Sequence, residues 1–150
     1  MEEESKKGVI LMMCQTNEDL IAFANSIRKN EAGIKMFTGD PSKLTSRQKD
    51  SVKVDAGDSL FLVAHGNESS WGSANDYVEI DPEDVLQFVI SYYSNINVYL
   101  CICNSWEYGQ KLRKEGTNLR VWAADGTPKL EWNQDKKQIK DETGVFKEVS

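Results

Sequence analysis

Four runs of mostly apolar residues constrain the fold of this chain more than any other feature. They occupy residues 8–14, 59–64, 97–103 and 119–124. A run with little polar alternation is typical of a strand that is buried on both faces of a sheet. Strands of that kind belong to parallel sheets that helices cover on both sides. The sequence therefore predicts a mostly parallel sheet in the interior of the protein.

Amphipathic segments between these runs predict the covering helices. Thr16 or Asn17 can cap the first helix. Its apolar residues follow helical spacing: Leu20, Phe23, Ala24 and Ile27. Asp81, followed by a proline, suits the start of a second helix. A third helix is expected over residues 105–115, with Gly116 after it in the left-handed conformation.

Weaker signals complete the predicted order of elements. A short strand is expected at residues 34–37, followed by a polar surface loop at residues 39–57. Further short strands are expected at residues 77–80, 129–132 and 145–149. The Lys-rich stretch between the last two suggests an excursion from the sheet, so the fold is expected to end in a C-terminal β-hairpin.

Strands that alternate with helices predict an α/β fold. We expect a three-layer α-β-α sandwich of the Rossmann-like kind, with a mostly parallel central sheet. The sequence has 150 residues, which suits one hydrophobic core, so residues 1–150 are predicted to form a single domain.

Bulk properties narrow the class of function. The formal net charge of −6 disfavours nucleic acid or an anionic membrane as the main partner, because both reward a basic surface. No apolar run approaches the roughly 18 residues of a membrane span, and the charged start gives no secretory signal. The chain has three cysteines, and a small, odd number argues against a disulfide framework. We expect a cytoplasmic protein, or an effector delivered without a cleaved signal peptide.

Four residues that can carry chemistry follow predicted strands: Cys14, His65, Cys103 and Asp125. In a parallel sheet, ligands bind beyond the carboxyl ends of the strands. Because one capped helix separates their two apolar runs, we expect the strands before His65 and Cys103 to be neighbours in the sheet. Neighbouring strands lie about 4.8 Å apart, which brings an imidazole near a sulfur. A thiolate with a nearby acid or base is what nucleophilic catalysis requires. Cys103 also precedes a helix start, where backbone N–H groups favour a thiolate.

Each residue has a simpler interpretation as well. His65, the one histidine of the chain, can serve as a loop hydrogen-bonding group. Cys103 can be a buried structural cysteine, as Cys101 is expected to be, because free cysteine is common in cores. Cys14 is expected in the core more than in the site.

Two blocks resemble the signature sequences of clan CD cysteine peptidases. They are residues 60–66, LFLVAHG, and residues 98–105, VYLCICNS. The clan includes caspases, legumains, gingipains, separases and the self-cleaving protease domains of RTX toxins. Each family has an apolar strand that ends in His-Gly and another that ends in the catalytic Cys, commonly with a small residue two places on, here Ser105. Residues 109–112 and 121–126 are similar to the toxin branch in particular.

The resemblance implies a caspase-like fold and a cysteine endopeptidase acting on protein or peptide substrates, self-cleavage included. It makes Cys103 the nucleophile and His65 the general acid/base, with the backbone N–H groups of Gly66 and Cys103 as oxyanion donors. No cofactor is implied. A catalytically inactive, caspase-like interaction domain is the alternative.

Two further residues are candidates for substrate binding. Asp125 can line a specificity pocket and select a basic side chain, or it can belong to a turn with the glycine after it. Trp71 can form one wall of a substrate groove or cap the core.

A metal site built from His65, Cys103 and Cys14 is a third hypothesis, but no closely spaced ligand pair of the structural-zinc type supports it. The sequence contains neither a phosphate-binding loop nor a GxSxG motif, so nucleotide hydrolysis and serine-hydrolase chemistry have no support.

Overall fold

A computed structural model describes residues 7–14, 17–66, 70–71 and 80–150. Within them lie α-helices α1 to α4 and a 3-10 turn at Pro41–Lys43. The helices are α1 Glu18–Asn30, α2 Ser46–Ser51, α3 Pro82–Tyr92 and α4 Trp106–Glu115. The strands are β1 Lys7–Met12, β2 Gly33–Thr38, β3 Ser59–Val63, β4 Asn97–Cys101, β5 Arg120–Ala124, β6 Leu130–Asn133, β7 Gln138–Asp141 and β8 Phe146–Val149.

Six of these strands form one sheet in the order β2-β1-β3-β4-β5-β8. The first five run parallel, and β8 closes the sheet as an antiparallel edge strand beside β5. The chain moves outward from β1 to β2 and then returns to β3 on the other side of β1. This reversal of strand order is the kind of topological switch point at which open α/β sheets bind ligands. The predicted mostly parallel sheet is confirmed.

Helices cover the sheet on both faces, which confirms the three-layer sandwich. On one face, Leu60, Leu62 and Leu100 pack with buried residues of α3 and α4. On the other face, Phe61 and Val63 pack with buried residues of α1. Successive residues of β3 alternate between the two sides, and both sides are buried, so the strand carries no polar alternation.

Side-chain caps define where two helices begin, as the sequence predicts. The side chain of Asn17 accepts a hydrogen bond from the backbone N–H of Leu20 at the start of α1, at 3.2 Å. Asp81 accepts one from the backbone N–H of Glu83 at the start of α3, at 2.9 Å. Such caps satisfy backbone donors that the first helical turn leaves without partners.

The expectation of a surface loop at residues 39–57 is wrong, because that segment contains the 3-10 turn and α2. A capping box starts α2: the side chain of Thr45 accepts from Gln48 N–H, and the side chain of Gln48 accepts from Thr45 N–H. The hydroxyl of buried Tyr93 donates to the carbonyl of Val52 at 2.7 Å and ties the end of this segment to α3. The capping residues of α2 are present in the sequence, but the polar composition of the segment favours a loop.

Gly116 ends α4, but not in the left-handed conformation that the sequence suggested, since its φ is −78°. A Cβ at this position would lie 2.3 Å from Cδ1 of Leu119 and 2.7 Å from the carbonyl oxygen of Leu112. Glycine is therefore required by close packing at the end of the helix and not by backbone conformation.

The C-terminal hairpin is present, but its second strand lies where none was expected. β6 pairs with β7, which falls inside the Lys-rich stretch, while the predicted strand near the C-terminus joins the main sheet as β8. In β7, half-buried Ile139 and Asp141 alternate with exposed residues, so the strand carries a weak hydrophobic signal. We call the unit formed by β6, β7 and their turn the β6–β7 hairpin.

The predicted strand at residues 77–80 lies outside the described residues apart from Ile80, which forms a bridge with Trp71. In the described part of the chain, no helix has the length and apolar character needed to cross a membrane.

Leu100 tests the assignment of β4 to the centre of the sheet. It is fully buried, so Leu100→Ala should lower the free energy of unfolding by ~2–5 kcal/mol through the cavity that it leaves. The control is Gln110→Ala on the exposed surface of α4, which should have little effect. Chemical denaturation measures both variants, and an unchanged midpoint for Leu100→Ala would contradict the position of this strand.

Candidate active site

His65 and Cys103 lie at the same edge of the sheet, because the strands before them are paired. β3 and β4 are parallel neighbours, with Val63 opposite Cys101. His65 and Cys103 each lie two residues beyond that last pair. Both line one cavity of about 720 Å³, which we call the dyad cavity. The sequence-based expectation that these two strands are adjacent is confirmed.

Gly66 brings the loop after His65 into direct contact with the chain at Cys103. A Cβ on Gly66 would lie 2.5 Å from the carbonyl oxygen of Cys103 and 2.5 Å from Cγ2 of Ile102. Those distances are too short for any side chain, so a glycine is required for the two loops to meet. The close approach holds the backbone next to His65 against the backbone of the candidate nucleophile.

Cys103 lies in the turn that connects β4 to α4. The next residue, Asn104, has a φ of 55°, in the left-handed region that asparagine tolerates better than most residues. Its backbone N–H donates to the carbonyl of Gly126 at 2.8 Å. α4 begins at Trp106. The thiol is thus presented from a strand-turn-helix connection just ahead of a helix N-terminus.

The buried side chain of Ser105 holds this turn in place. It is fully buried, and its hydroxyl donates to the carbonyl of Leu100 at 3.4 Å and accepts from the backbone N–H of Ala124 at 3.1 Å. The hydroxyl therefore joins the ends of β4 and β5, two residues along the chain from Cys103. It makes no side-chain cap for α4, although Ser105 occupies the N-cap position. A small residue with a hydroxyl is what this position needs.

The three free cysteines differ in access. Cys103 is partly exposed, whereas Cys14 and Cys101 are buried. Burial raises the pKa of the Cys101 thiol far above its ordinary value. Cys14 accepts a hydrogen bond from the backbone N–H of Asn17 at 3.3 Å and lines a different, smaller cavity. Cys101 also contributes to the lining of the dyad cavity, but it is only 1% exposed. Among the three thiols, Cys103 is therefore the most accessible to a substrate.

Apolar side chains from two separate elements form the walls of the dyad cavity. Leu20 and Phe23 come from α1, and Leu130 and Trp132 come from the β6–β7 hairpin. The charged residues among the described lining are all exposed, and they are Asp19, Lys129 and Glu131. The cavity thus offers an apolar surface with charges at its rim.

The sequence predicts Leu20 and Phe23 as apolar residues at helical spacing in α1, and it does not connect β6 with the site. The signals were present in part, as helical spacing in α1 and as a weak strand at residues 129–132. Nothing in the sequence pattern shows that these two elements converge on the cavity that Cys103 lines.

Asp125 does not line the dyad cavity. It is exposed and borders a separate depression with Asn104, Trp106 and Glu107. Its backbone N–H donates to the carbonyl of Val145 at 3.0 Å, and a glycine with a φ of 126° follows it. This geometry matches the simpler interpretation of a turn and gives no support to a role in selecting a basic side chain beside Cys103.

Trp71 lies in the core and not on the wall of the dyad cavity. It is 1% exposed and packs edge-to-face on Tyr108, with ring centroids 5.2 Å apart. It also forms strand-like bridges with Gly66 and Ile80. Trp71 therefore supports the loop after His65 from the α3 and α4 side of the sheet, and a direct contact with substrate has no support.

The metal hypothesis gains nothing from the arrangement of ligands. Cys14 lines a cavity separate from that of His65 and Cys103. Across the described ranges, no group of three or more His, Cys, Asp and Glu residues is arranged to hold a metal ion.

No family model matches the sequence, and a search of curated proteins found no similar sequence.

Ser105 provides a test of how the turn at Cys103 is held. Ser105→Ala leaves the N–H of Ala124 and the carbonyl of Leu100 without this partner, so the free energy of unfolding should fall by about 1–3 kcal/mol. Ser51→Ala is the matched control, because the exposed hydroxyl of Ser51 bonds only within α2, to the carbonyl of Gln48. Denaturant unfolding of both variants makes the comparison, and equal effects would contradict the role given to Ser105.

Proposed function

We propose that this protein is a cysteine endopeptidase in which Cys103 is the nucleophile and His65 is the general acid/base. One observation carries the proposal. The single histidine of the chain and its one accessible cysteine line the same cavity, at the ends of two paired parallel strands. The resemblance of both strand ends to clan CD peptidases supports the same assignment of roles.

In this mechanism the Cys103 thiolate attacks the carbonyl carbon of the scissile peptide bond, and the carbonyl oxygen takes the electron pair. Backbone N–H groups of Gly66 and Cys103 stabilise that oxyanion. His65 donates a proton to the leaving amine as the C–N bond breaks, which leaves a thioester on Cys103. A water molecule, deprotonated by His65, then attacks the thioester, releases the acid product and restores the thiolate.

We further propose that the residue before the scissile bond is apolar. Leu20, Phe23, Leu130 and Trp132 line the same cavity as Cys103. Burying a Leu-sized side chain against such walls contributes about 1.5–3 kcal/mol. A basic side chain held against these walls would lose hydration. Asp125 borders a different depression, and the carboxylates in the lining, Asp19 and Glu131, are exposed.

A reducing compartment such as the cytoplasm fits this chemistry. All three cysteines are free thiols, and a cysteine nucleophile is active only in reduced form. An effector delivered without a cleaved signal peptide would meet the same conditions at its destination.

Alkylation across a pH range tests the nucleophile. We expect iodoacetamide to label Cys103 faster than Cys14 or Cys101, because those two thiols are buried. Mass spectrometry of the labelled peptides gives the rate for each cysteine within one sample, so the two buried thiols are internal controls. A rate for Cys103 no faster than that for Cys14 would overturn the protease proposal in favour of an inactive, caspase-like interaction domain.

Cleavage by point variants tests the roles of both residues. Cys103→Ala should abolish peptide-bond cleavage, and His65→Ala should lower turnover by about 10²–10⁴-fold. Both side chains lie at the surface of the cavity, so the melting temperature should hardly change. Arg47→Ala, on the exposed surface of α2, is the control and should keep full activity. Full activity in Cys103→Ala would contradict the mechanism.

A series of peptidyl electrophiles tests the substrate preference. Reagents that differ only in the residue before the warhead should label Cys103 fastest with Leu, by about tenfold or more over Arg or Asp, since about 1.4 kcal/mol is a factor of ten. Leu20→Ala should reduce the preference for Leu. Ile21→Ala is the matched control, because Ile21 is the next residue of α1, is similarly half-buried and lines the other cavity. A preference for Arg would restore the case for a basic substrate.

A further inference from the structure

The β6–β7 hairpin forms one wall of the dyad cavity without belonging to the main sheet. In the part of the chain that the structure describes, β6 and β7 pair with each other and form their own two-stranded sheet. Trp132 packs edge-to-face on Phe61 of β3, with ring centroids 6.0 Å apart. Packing of this kind does not set the position of a wall as sharply as a hydrogen-bonded ladder does. Contacts at the base and at the tip of the hairpin must therefore fix the position of this wall more closely.

At the base, a single carboxylate holds the two ends of the hairpin together. Oδ1 of Asp141 accepts from the backbone N–H of Lys129 at 2.9 Å and of Thr143 at 3.1 Å. Oδ2 accepts from the backbone N–H of Val145 at 3.0 Å and of Phe146 at 2.9 Å. The Thr143 hydroxyl also donates to both oxygens, at 2.7 and 2.8 Å. Asp141 thereby joins the residue that enters β6 to the residue that starts β8.

The ionised form of Asp141 is the one that this geometry favours. Partial burial raises the pKa of the carboxyl, but hydrogen bonds from the Thr143 hydroxyl and from backbone N–H groups outweigh it and hold the pKa below its ordinary value. A carboxylate is an acceptor at both oxygens, whereas an amide of the same shape has one acceptor and one donor group. Asp141→Asn would therefore direct an NH₂ group at N–H donors.

At the tip, a second carboxylate ties the hairpin to α1, which forms the other wall of the cavity. Oε1 of Glu31 lies 3.6 Å from Nζ of Lys137. Glu31 is 1% exposed and forms the C-cap of α1, and Lys137 lies in the turn of the hairpin with a φ of 52°. The two walls are thus connected at the end of the hairpin away from Asp141.

We infer that Asp141 is a positioning residue of the active site, one that holds the β6–β7 hairpin against Cys103 as the wall that binds the substrate. The inference rests on the proposed function. Asp141 acts through Lys129, which is both its hydrogen-bond partner and a residue of the cavity lining. Its loss displaces the wall and leaves the thiol itself unchanged.

The experiment compares a small reagent with a peptidyl one on the full chain. For Asp141→Asn, the rate at which a leucyl peptidyl electrophile labels Cys103 should fall by about tenfold to a hundredfold, because displacing a positioned group by about 1 Å costs up to about 10²-fold. The rate with iodoacetamide should stay within about twofold of that of the unaltered protein. Amide hydrogen exchange over residues 129–133 should become faster.

Two further variants complete the test. Asp135→Asn is the matched control, because Asp135 is an exposed residue in the turn of the same hairpin, and its labelling and exchange should match those of the unaltered chain. Thr143→Val removes the hydroxyl donor to Asp141 from an exposed position, so it should lower the peptidyl rate in the same direction by less. If Asp141→Asn does not fold, Thr143→Val decides the question.

The outcomes separate the two proposals. A folded Asp141→Asn protein with unchanged peptidyl labelling and unchanged exchange would overturn the inference. So would an Asp135→Asn variant whose peptidyl labelling slows and whose exchange quickens as much as those of Asp141→Asn. If iodoacetamide labels Cys103 no faster than Cys14 in the unaltered protein, the proposed function fails, while the exchange measurement still tests whether Asp141 holds the hairpin.

Discussion

The parallel pairing of β3 with β4 is the constraint on which the rest of the structure depends. The two strands are buried on both faces, so neither can shift by one residue without turning its whole set of side chains to the opposite layer. The pairing is reinforced on the α1 side, where Phe61 stacks on Tyr99 and Tyr99 stacks on Trp122, with ring centroids 4.9 and 4.5 Å apart. Once that register is set, the residues that follow the two strands emerge side by side at one edge of the sheet.

Short-range contacts then turn two adjacent strand ends into a site. Gly66 lets the loop after His65 touch the backbone of Cys103, and the buried hydroxyl of Ser105 joins the ends of β4 and β5. Asn104 takes the left-handed conformation that the tight turn requires. Each contact acts within a few residues of Cys103, yet each depends on the sheet to bring its partner from elsewhere in the chain. The buried core of the sheet therefore fixes the positions of His65 and Cys103. The position of one cavity wall depends instead on the β6–β7 hairpin.

The elements that could be predicted are those whose signal is local. Continuous apolar runs marked β1, β3, β4 and β5, and side-chain caps at Asn17 and Asp81 marked the starts of α1 and α3. The sequence does not predict β7, because its half-buried residues alternate with Lys and Gln. A strand of only four such residues has a weak hydrophobic pattern. α2 was hidden by polar composition, although its capping box is visible in the sequence.

By itself, the sequence determined the mostly parallel sheet and the burial of Cys101, because apolar continuity and strand-helix alternation are local properties. The sequence also predicted that the strands before His65 and Cys103 are neighbours, and the register of the sheet fixes that pairing. The tertiary structure decided what surrounds those two residues. It placed Trp71 in the core and Asp125 in a separate depression, and it brought Leu20 of α1 and Trp132 of β6 into the lining of one cavity with Cys103. These relations join residues far apart in the chain, and which side of a strand or helix meets which neighbour follows from register and packing. No local pattern carries that information, and the substrate-binding wall is therefore a product of the fold.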